Sequence, residues 1–483
     1  MVERPFSAEE MFFSTTDDRG VITEANTTFV RLSRYPWDAL IGAPHNIIRH
    51  PLMPGGAFRL MWAELQAGHP FAAYVHNLAA DGSRYDVFAA ITPLRDGGYL
   101  SVRSCPCRPD LLARIDEVYR QVAGQEGQWR AAGASRAEAA ARGAELIEQL
   151  LAEQGLGSYR EVQWALVPAE VTALDTAIGG IPARPGAGGE LGPILDGVHL
   201  VFDELGDWMT DLTALADTAS RLADTVDHLD RATRDSLETA RRISAVTDLD
   251  AAWMPMMMPL QLWAAMGEEI GGVLAGLLED LAAARAGALD SRMQIALARM
   301  FAQMVGRFLV ELIDGGPGTE RARPAIGGLG RALLERIDEM ETRLAEHAAA
   351  RDHARRQVEE AAGLLQIPLD LMAAWQAMAA DRALPESIST LVPRIEQQMD
   401  DSHRAMEVLR ELVPRRRAEE DRRDPTALRT RVADLLSVVG GAAVSSTAGG
   451  AAVSSTADGA AVPSAADGAA VPSAVDVADH VPQ

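Results

Sequence analysis

The 483-residue chain has no lysine, so all 45 of its basic residues are arginine. Asparagine is almost as scarce: Asn26, Asn46 and Asn77 are the only three, and all lie in the first 77 residues. Both residue types use AT-rich codons, so their absence points to a GC-rich bacterial source and makes each surviving asparagine informative. The two cysteines, Cys105 and Cys107, are too few for a disulfide framework. They are one residue apart with no second pair, which leaves no zinc site. Positive charge is also short. With 69 acidic residues against 45 basic, the net charge is −24, which argues against binding a phosphate backbone. Aromatics make up only 5%, as in Ala/Leu-rich helical assemblies. No secretory signal opens the chain, because residues 1–10 hold three glutamates and no apolar core. The membrane candidate, the uncharged run at residues 251–267, sits at the lower limit for crossing a bilayer and contains Pro255, Pro259 and Gln261. It reads as a buried bend between helices. No P-loop, GxSxG or HExxH motif is present, and the ten histidines are scattered. The expectation is a cytoplasmic protein with no catalytic or metal-binding residues.

The first 109 residues differ from the rest. They hold 13 of the 24 aromatics and are nearly neutral, with ten arginines against eleven acids. Residues 20–23 follow the Asp17-Asp18 turn signal and read as a strand. Residues 74–79 and 84–92 read as two strands joined by the turn Ala80-Asp81-Gly82-Ser83, and residues 98–103 read as another. Residues 26–32 form a short helical stretch. The pattern is a small antiparallel sheet beside short helices, ended by Pro106 and Pro109. Asp110 then caps a helix whose apolar face carries Leu111, Leu112, Ile115, Val118, Tyr119 and Val122.

The strings FFSTTDDRGVITEANTTFVRLSRY, IGAPHNIIRHPLMP, AFRLMWAELQAGHPFAAYVHNLAADGSRYDVFAAITPL and GYLSVR resemble the PAS domain of bacterial aerotaxis receptors, which are FAD-binding redox sensors. The resemblance covers about one fifth of the chain, and its PHNIIRHP string is the most specific part. It implies a five-stranded antiparallel sheet with helices on one face and a pocket for a flavin. It places FAD contacts at Asn26, Arg49, His50, Phe58, Trp62 and Asn77. The chemistry suits the residue types. Asn77 offers a donor and an acceptor to a flavin edge, Arg49 and His50 suit a diphosphate, and Phe58 and Trp62 lie four apart on one helical face. Each also has a plainer reading: Phe58 and Trp62 as core, His50 as a turn histidine, Asn26 as a helix cap. Two departures stand out. Leu52 replaces the family's aspartate, and Asp86 stands where a tryptophan is common.

From about residue 120 the chain reads as helical. One heptad series runs Leu191, Val198, Leu205, Leu212, Ala219, Val226, Thr233, Ala240. The other runs Ile194, Val201, Trp208, Leu215, Leu222, Leu229, Ser236, Ile243. Eight unbroken heptads form a seam that needs a partner surface, from a second chain or from a neighbouring helix. The expected divisions are a PAS sensor domain at 1–109, a helical linker at 110–190 and coiled-coil helices at 191–313. A Gly/Pro loop at 314–328, a second helical segment at 329–420 and a low-complexity tail at 421–483 follow. The tail carries four copies of a nine-residue unit from Gly441 and reads as disordered. The Met-rich stretch 254–258 reads as buried filler or a contact surface, and Arg415-Arg416-Arg417 as a solvated helix end. The chain is expected to be a homodimeric, non-enzymatic sensor that relays FAD redox state to a downstream signalling protein. The alternative is a scaffold whose PAS domain only dimerises.

Overall fold

A computed structural model describes residues 3–245, 254–315, 319–380, 382–412 and 424–445. These fall into two compact units. One comprises residues 3–206, 293–338 and 426–445, the other residues 207–292 and 339–425.

The first unit is built on five strands: β1 (Phe12–Thr16), β2 (Ile22–Ala25), β3 (Phe71–Leu78), β4 (Arg84–Pro93) and β5 (Tyr99–Ser104). Their order across the sheet is β2-β1-β5-β4-β3, with every pairing antiparallel. Between β2 and β3 come α1 (Thr27–Ser33), α2 (Trp37–Leu40), a 3₁₀ turn (His45–Ile48) and α3 (Gly55–Gln66). The predicted strands and the short helix at 26–32 match these elements. The fold class expected for the N-terminal region, a five-stranded PAS sheet with helices followed by a long helical region, is the fold observed.

Register separates the two faces of the sheet. Phe12 pairs with Arg103, Arg103 with Ala89, and Ser14 with Ser101. Val75 pairs with Val87 and Asn77 with Tyr85. Directly opposite residues share a face, so these side chains form the inner face. There Phe12, Tyr85, Val87 and Ala89 bury against Phe29, Leu32, Leu40 and Ile48. The outer face carries Phe13, Tyr74, His76, Asp86 and Phe88 and is buried too. It meets α4 (Pro109–Ala131) and α6 (Tyr159–Ile178), separated in sequence by α5 (Arg136–Glu153). On that face the Tyr74 hydroxyl donates to Glu170 of α6, and along the same strand the Ala72 amide donates to Gln163 Oε1 at 2.6 Å. α3 lies against α5 so closely that a Cβ on Gly56 would sit 2.4 Å from the Gly143 carbonyl carbon.

Several boundaries differ from expectation. α4 begins at Pro109, not after an Asp110 cap. Its N-cap, Arg108, makes no side-chain cap bond, while Pro109 occupies a position where its missing N–H costs nothing. The helices that follow are α7 (Leu191–Ser244), α8 (Met254–Asp314), α9 (Thr319–Ala380), α10 (Glu386–Ser389), α11 (Val392–Leu412) and α12 (Pro425–Ser445). α9 therefore occupies residues 319–328, which were expected to be loop, and runs on through Pro368. α12 occupies part of the expected disordered tail. Leu428 and Val432 of α12 are buried, and a Cβ on Gly330 would lie 2.0 Å from Leu436 Cδ2. Gly330, inside the expected helical segment, is where two helices approach closely. Residues 246–253, the basic run 415–417 and the repeats beyond residue 445 lie outside the described residues.

The heptad seam of α7 is covered by this chain's own helices. Fourteen of its sixteen positions are buried, and Leu191 and Leu222 are partly buried. In the second unit Val226, Leu229, Ala240 and Ile243 join one core with Leu260, Trp263, Leu274, Val358, Trp375 and Leu409. Met256 and Met257 belong to that core, while Met254 and Met258 are exposed. The seam's need for a partner surface is thus met without a second chain. Among the described residues no helix is long and apolar enough to cross a membrane, and no His/Cys/Asp/Glu cluster could hold a metal ion.

Candidate functional site

The inner face carries polar groups where a sheet of this size would normally bury hydrocarbon. Arg103, on β5, is 3% exposed. Its Nη2 donates to His45 Nε2 at 2.6 Å and its Nη1 to Ser14 Oγ at 3.1 Å. The guanidinium lies 5.4 Å from the Phe29 ring and 5.6 Å from the Phe12 ring. Among the described residues no carboxylate pairs with it. Burial lowers the Arg103 pKa to about 10, so it remains a cation at neutral pH. Burial, and then the Arg103 charge, hold His45 well below the usual histidine range. His45 is therefore neutral and accepts at Nε2, with its proton on Nδ1. On the same face three further buried groups have no hydrogen-bond partner: Asn77 Nδ2, Tyr85 OH and Ser101 Oγ. An unpaired buried polar group costs about 1–3 kcal/mol. A cation and three orphaned polar groups thus share one inner face.

The residues assigned from sequence fall into separate groups. Arg49 pairs in antiparallel register with Asn77, and its guanidinium lies 4.0 Å over the Phe58 ring. These three are brought together, with Asn77 only 2% exposed. Trp62 lies further along α3, edge-on to Tyr99 at 5.4 Å. Its ring lies over Gly20, which has φ +76° and where a Cβ would come within 3.4 Å of that ring. Asn26 caps α1: its Oδ1 accepts from the Phe29 amide at 3.1 Å and its Nδ2 donates to Met11 O at 3.3 Å. Its amide is thus used at both ends by the fold. His50, 1% exposed, accepts from the Leu52 amide through Nδ1 and stands edge-on to His76 at 6.2 Å. Leu52 is 58% exposed. The carboxyl of Glu126, on α4, accepts from the Gly55 and Gly56 amides at 2.7 and 2.8 Å, so the N-terminus of α3 already holds an anion.

Sequence reasoning missed Ser14, His45, Tyr85, Ser101 and Arg103. A signal was present. Along β5 the inward positions are Tyr99, Ser101 and Arg103 and the outward ones Leu100 and Val102. A strand with polar residues facing the helices and apolar ones facing away has a polar interior to serve and a second covered face.

Asp86, the departure from the family pattern, belongs to an outer-face cluster. His76 Nδ1 lies 2.8 Å from Asp86 Oδ1, and its Nε2 lies 3.0 Å from Asp116 Oδ1 of α4. Arg84 donates to Asp86 through Nε at 2.7 Å and Nη2 at 2.6 Å. Burial opposes the imidazolium, but the two carboxylates outweigh it and raise His76 to about 9. Burial also opposes the Asp86 charge, yet His76 and Arg84 lower it to about 2. His76 thus contributes fully below its unfolded value of about 6.5, and its contribution fades as pH rises through 9. The Asp86 contribution holds above about 4 and fades toward pH 2. His76→Gln is expected to flatten the fall in thermal stability between pH 6.5 and 9, by up to about 3 kcal/mol. Parallel melts across that range check this, and equal slopes in both proteins contradict it.

Five antiparallel strands in the order 2-1-5-4-3, with helices over the inner face, make the N-terminal region a PAS domain. That region is similar to the aerotaxis receptor of Escherichia coli (strain K12), with 38% identity over 120 residues, 24% of this chain and 24% of the receptor. The chain spans about a quarter of the length of that curated relative. The LOV domain of the blue-light photoreceptor Aureochrome1 is 22% identical and matches 20% of this chain and 80% of its own, with a TM-score of 0.19. A PAS domain from Colwellia psychrerythraea is 20% identical and matches 20% of this chain and 86% of its own, with a TM-score of 0.18. No protein-family model matches the chain.

Proposed function

We propose that this chain is a sensory signal-transduction protein whose PAS domain binds FAD on the inner sheet face. Its helices pass the cofactor's redox state to a protein partner in the cytoplasm. The observation that carries this reading is the set of unsatisfied polar groups around Arg103 and Asn77, in a domain similar to that of an aerotaxis receptor. Bound FAD would supply reversible two-electron chemistry. Asn77 would give its free amide N–H to the flavin edge, and Arg103 would set a positive charge beside it. Trp62 and Phe58 would wall the site, and Arg49 would meet the phosphates. Asn26 and His50 act through the fold, one capping α1 and the other fixing the turn that presents Arg49. Homodimerisation is part of the proposal, with contacts outside the α7 seam.

The relay follows from the alternation of β3. Asn77 faces the inner site, while its neighbour His76 faces outward to Asp116 on α4. A shift of one residue at the site therefore moves the other against the helix that leaves the domain. The test is the absorbance spectrum of the purified protein. Flavin bands, with FAD in the heat-released extract, support the reading. A colourless protein that takes up no FAD on incubation leaves the scaffold, and NAD(P)H turnover would indicate an enzyme.

A further inference from the structure

Cys105 and Cys107 lie in the short segment between β5 and α4, outside the inner-face site, and both are free thiols. Their sulfurs are 3.8 Å apart, and both residues are half-buried, with an edge open to solvent. Pro106 between them fixes its own φ and disfavours helix at Cys105, so few backbone arrangements are open to the pair. The Cys107 Sγ lies 3.5 Å from the Cys105 carbonyl oxygen. The Cys107 amide donates to Glu170 Oε2 at 2.8 Å and the Arg108 amide to Glu170 Oε1 at 3.0 Å. The pair is thus anchored to a buried carboxylate on α6 at the point where the chain leaves the sheet.

We propose that Cys105 and Cys107 form a reversible dithiol–disulfide couple that exchanges with small-molecule disulfides of the glutathione class. The Cys105 thiolate attacks one sulfur of the small disulfide. A Cys105–S–S–R bond forms, the S–S bond of the reagent breaks, and the first thiol leaves with the proton that Cys105 gave up. Cys107 then attacks Cys105 Sγ, the mixed disulfide breaks, and the second thiol leaves with the Cys107 proton. Two protein thiols are oxidised and one small disulfide is reduced to two thiols. The hydrogen bond from Cys107 lowers the Cys105 pKa, while the same bond and burial raise that of Cys107. This assigns attack to Cys105 and resolution to Cys107. Closing the bond brings the sulfurs from 3.8 Å to about 2.05 Å. That movement pulls Cys107 against its Glu170 contact, immediately before the first turn of α4. The couple needs no flavin, so its result stands apart from that of the FAD reading.

The test is reaction of the full-length reduced protein with oxidised glutathione at pH 7, quenched with acid and read by intact mass. The expected product is a single chain lighter by two hydrogens, restored by dithiothreitol. Cys107→Ser is expected to stop at one stable glutathione adduct, on Cys105. Cys105→Ser is expected to react about tenfold or more slowly, as a higher-pKa thiol should. Adducts accumulating on both cysteines of the wild type, disulfides between chains, no reaction, or equal rates in the two variants would each overturn the proposal.

Discussion

Asn77→Ala and Arg103→Met are each expected to purify with far less FAD than the wild type, while their far-UV circular dichroism stays the same. Asn77 Nδ2 is buried without a partner, so in the empty protein its truncation removes no internal hydrogen bond through that atom. With ligand bound, the same truncation removes a contact on the order of 1–3 kcal/mol, roughly tenfold to a hundredfold in affinity. Arg103 carries a charge-assisted contact, and its loss is expected to cost as much or more. Trp62→Ala removes a wall of the site and is expected to release FAD as well. Flavin-to-protein ratios after gel filtration check all three, and full occupancy in Asn77→Ala and Arg103→Met refutes the assignment.

Glu170→Ala is expected to be the most destabilising single change in the first unit, by about 3–5 kcal/mol. The Glu170 carboxylate accepts from the Tyr74 hydroxyl and from the Cys107 and Arg108 amides. Removing it strands three donors in a buried setting and opens a cavity between α6 and the sheet. Burial alone would raise its pKa, and the donors offset part of that rise. Glu170→Gln keeps one acceptor oxygen and is expected to lose about half as much. Thermal melts of the three proteins check the order, and a Glu170→Ala variant melting with the wild type would show that the hub carries no such energy.

The β3–β4 hairpin was legible because the Ala80–Ser83 turn sits between two strand-like runs, and Gly82 takes the positive φ that such a turn requires. Asn77 was legible because asparagine is disfavoured in strands and rare in this chain. Arg103 was not, because a strand arginine ordinarily reads as a solvent-facing charge. Only the register with Phe12 and Ala89 turns it inward. Asn26 was placed at the cofactor by the family resemblance, with a helix cap as its plainer reading, and its hydrogen bonds are those of a cap. The heptad periodicity of α7 showed a seam but could not say whose surface covers it, since a neighbouring helix and a second chain satisfy the same spacing. The start of α9 at Thr319 was hidden because the glycines and prolines of residues 314–328 read as a loop.

The most direct test of the central claim is titration of FAD into flavin-stripped full-length protein, followed by quenching of flavin fluorescence. Saturation at one FAD per chain, weakened at least tenfold in Arg103→Met, is the result the inner-face site predicts. Fluorescence that stays unquenched through excess protein, or quenching identical in wild type and Arg103→Met, would contradict it.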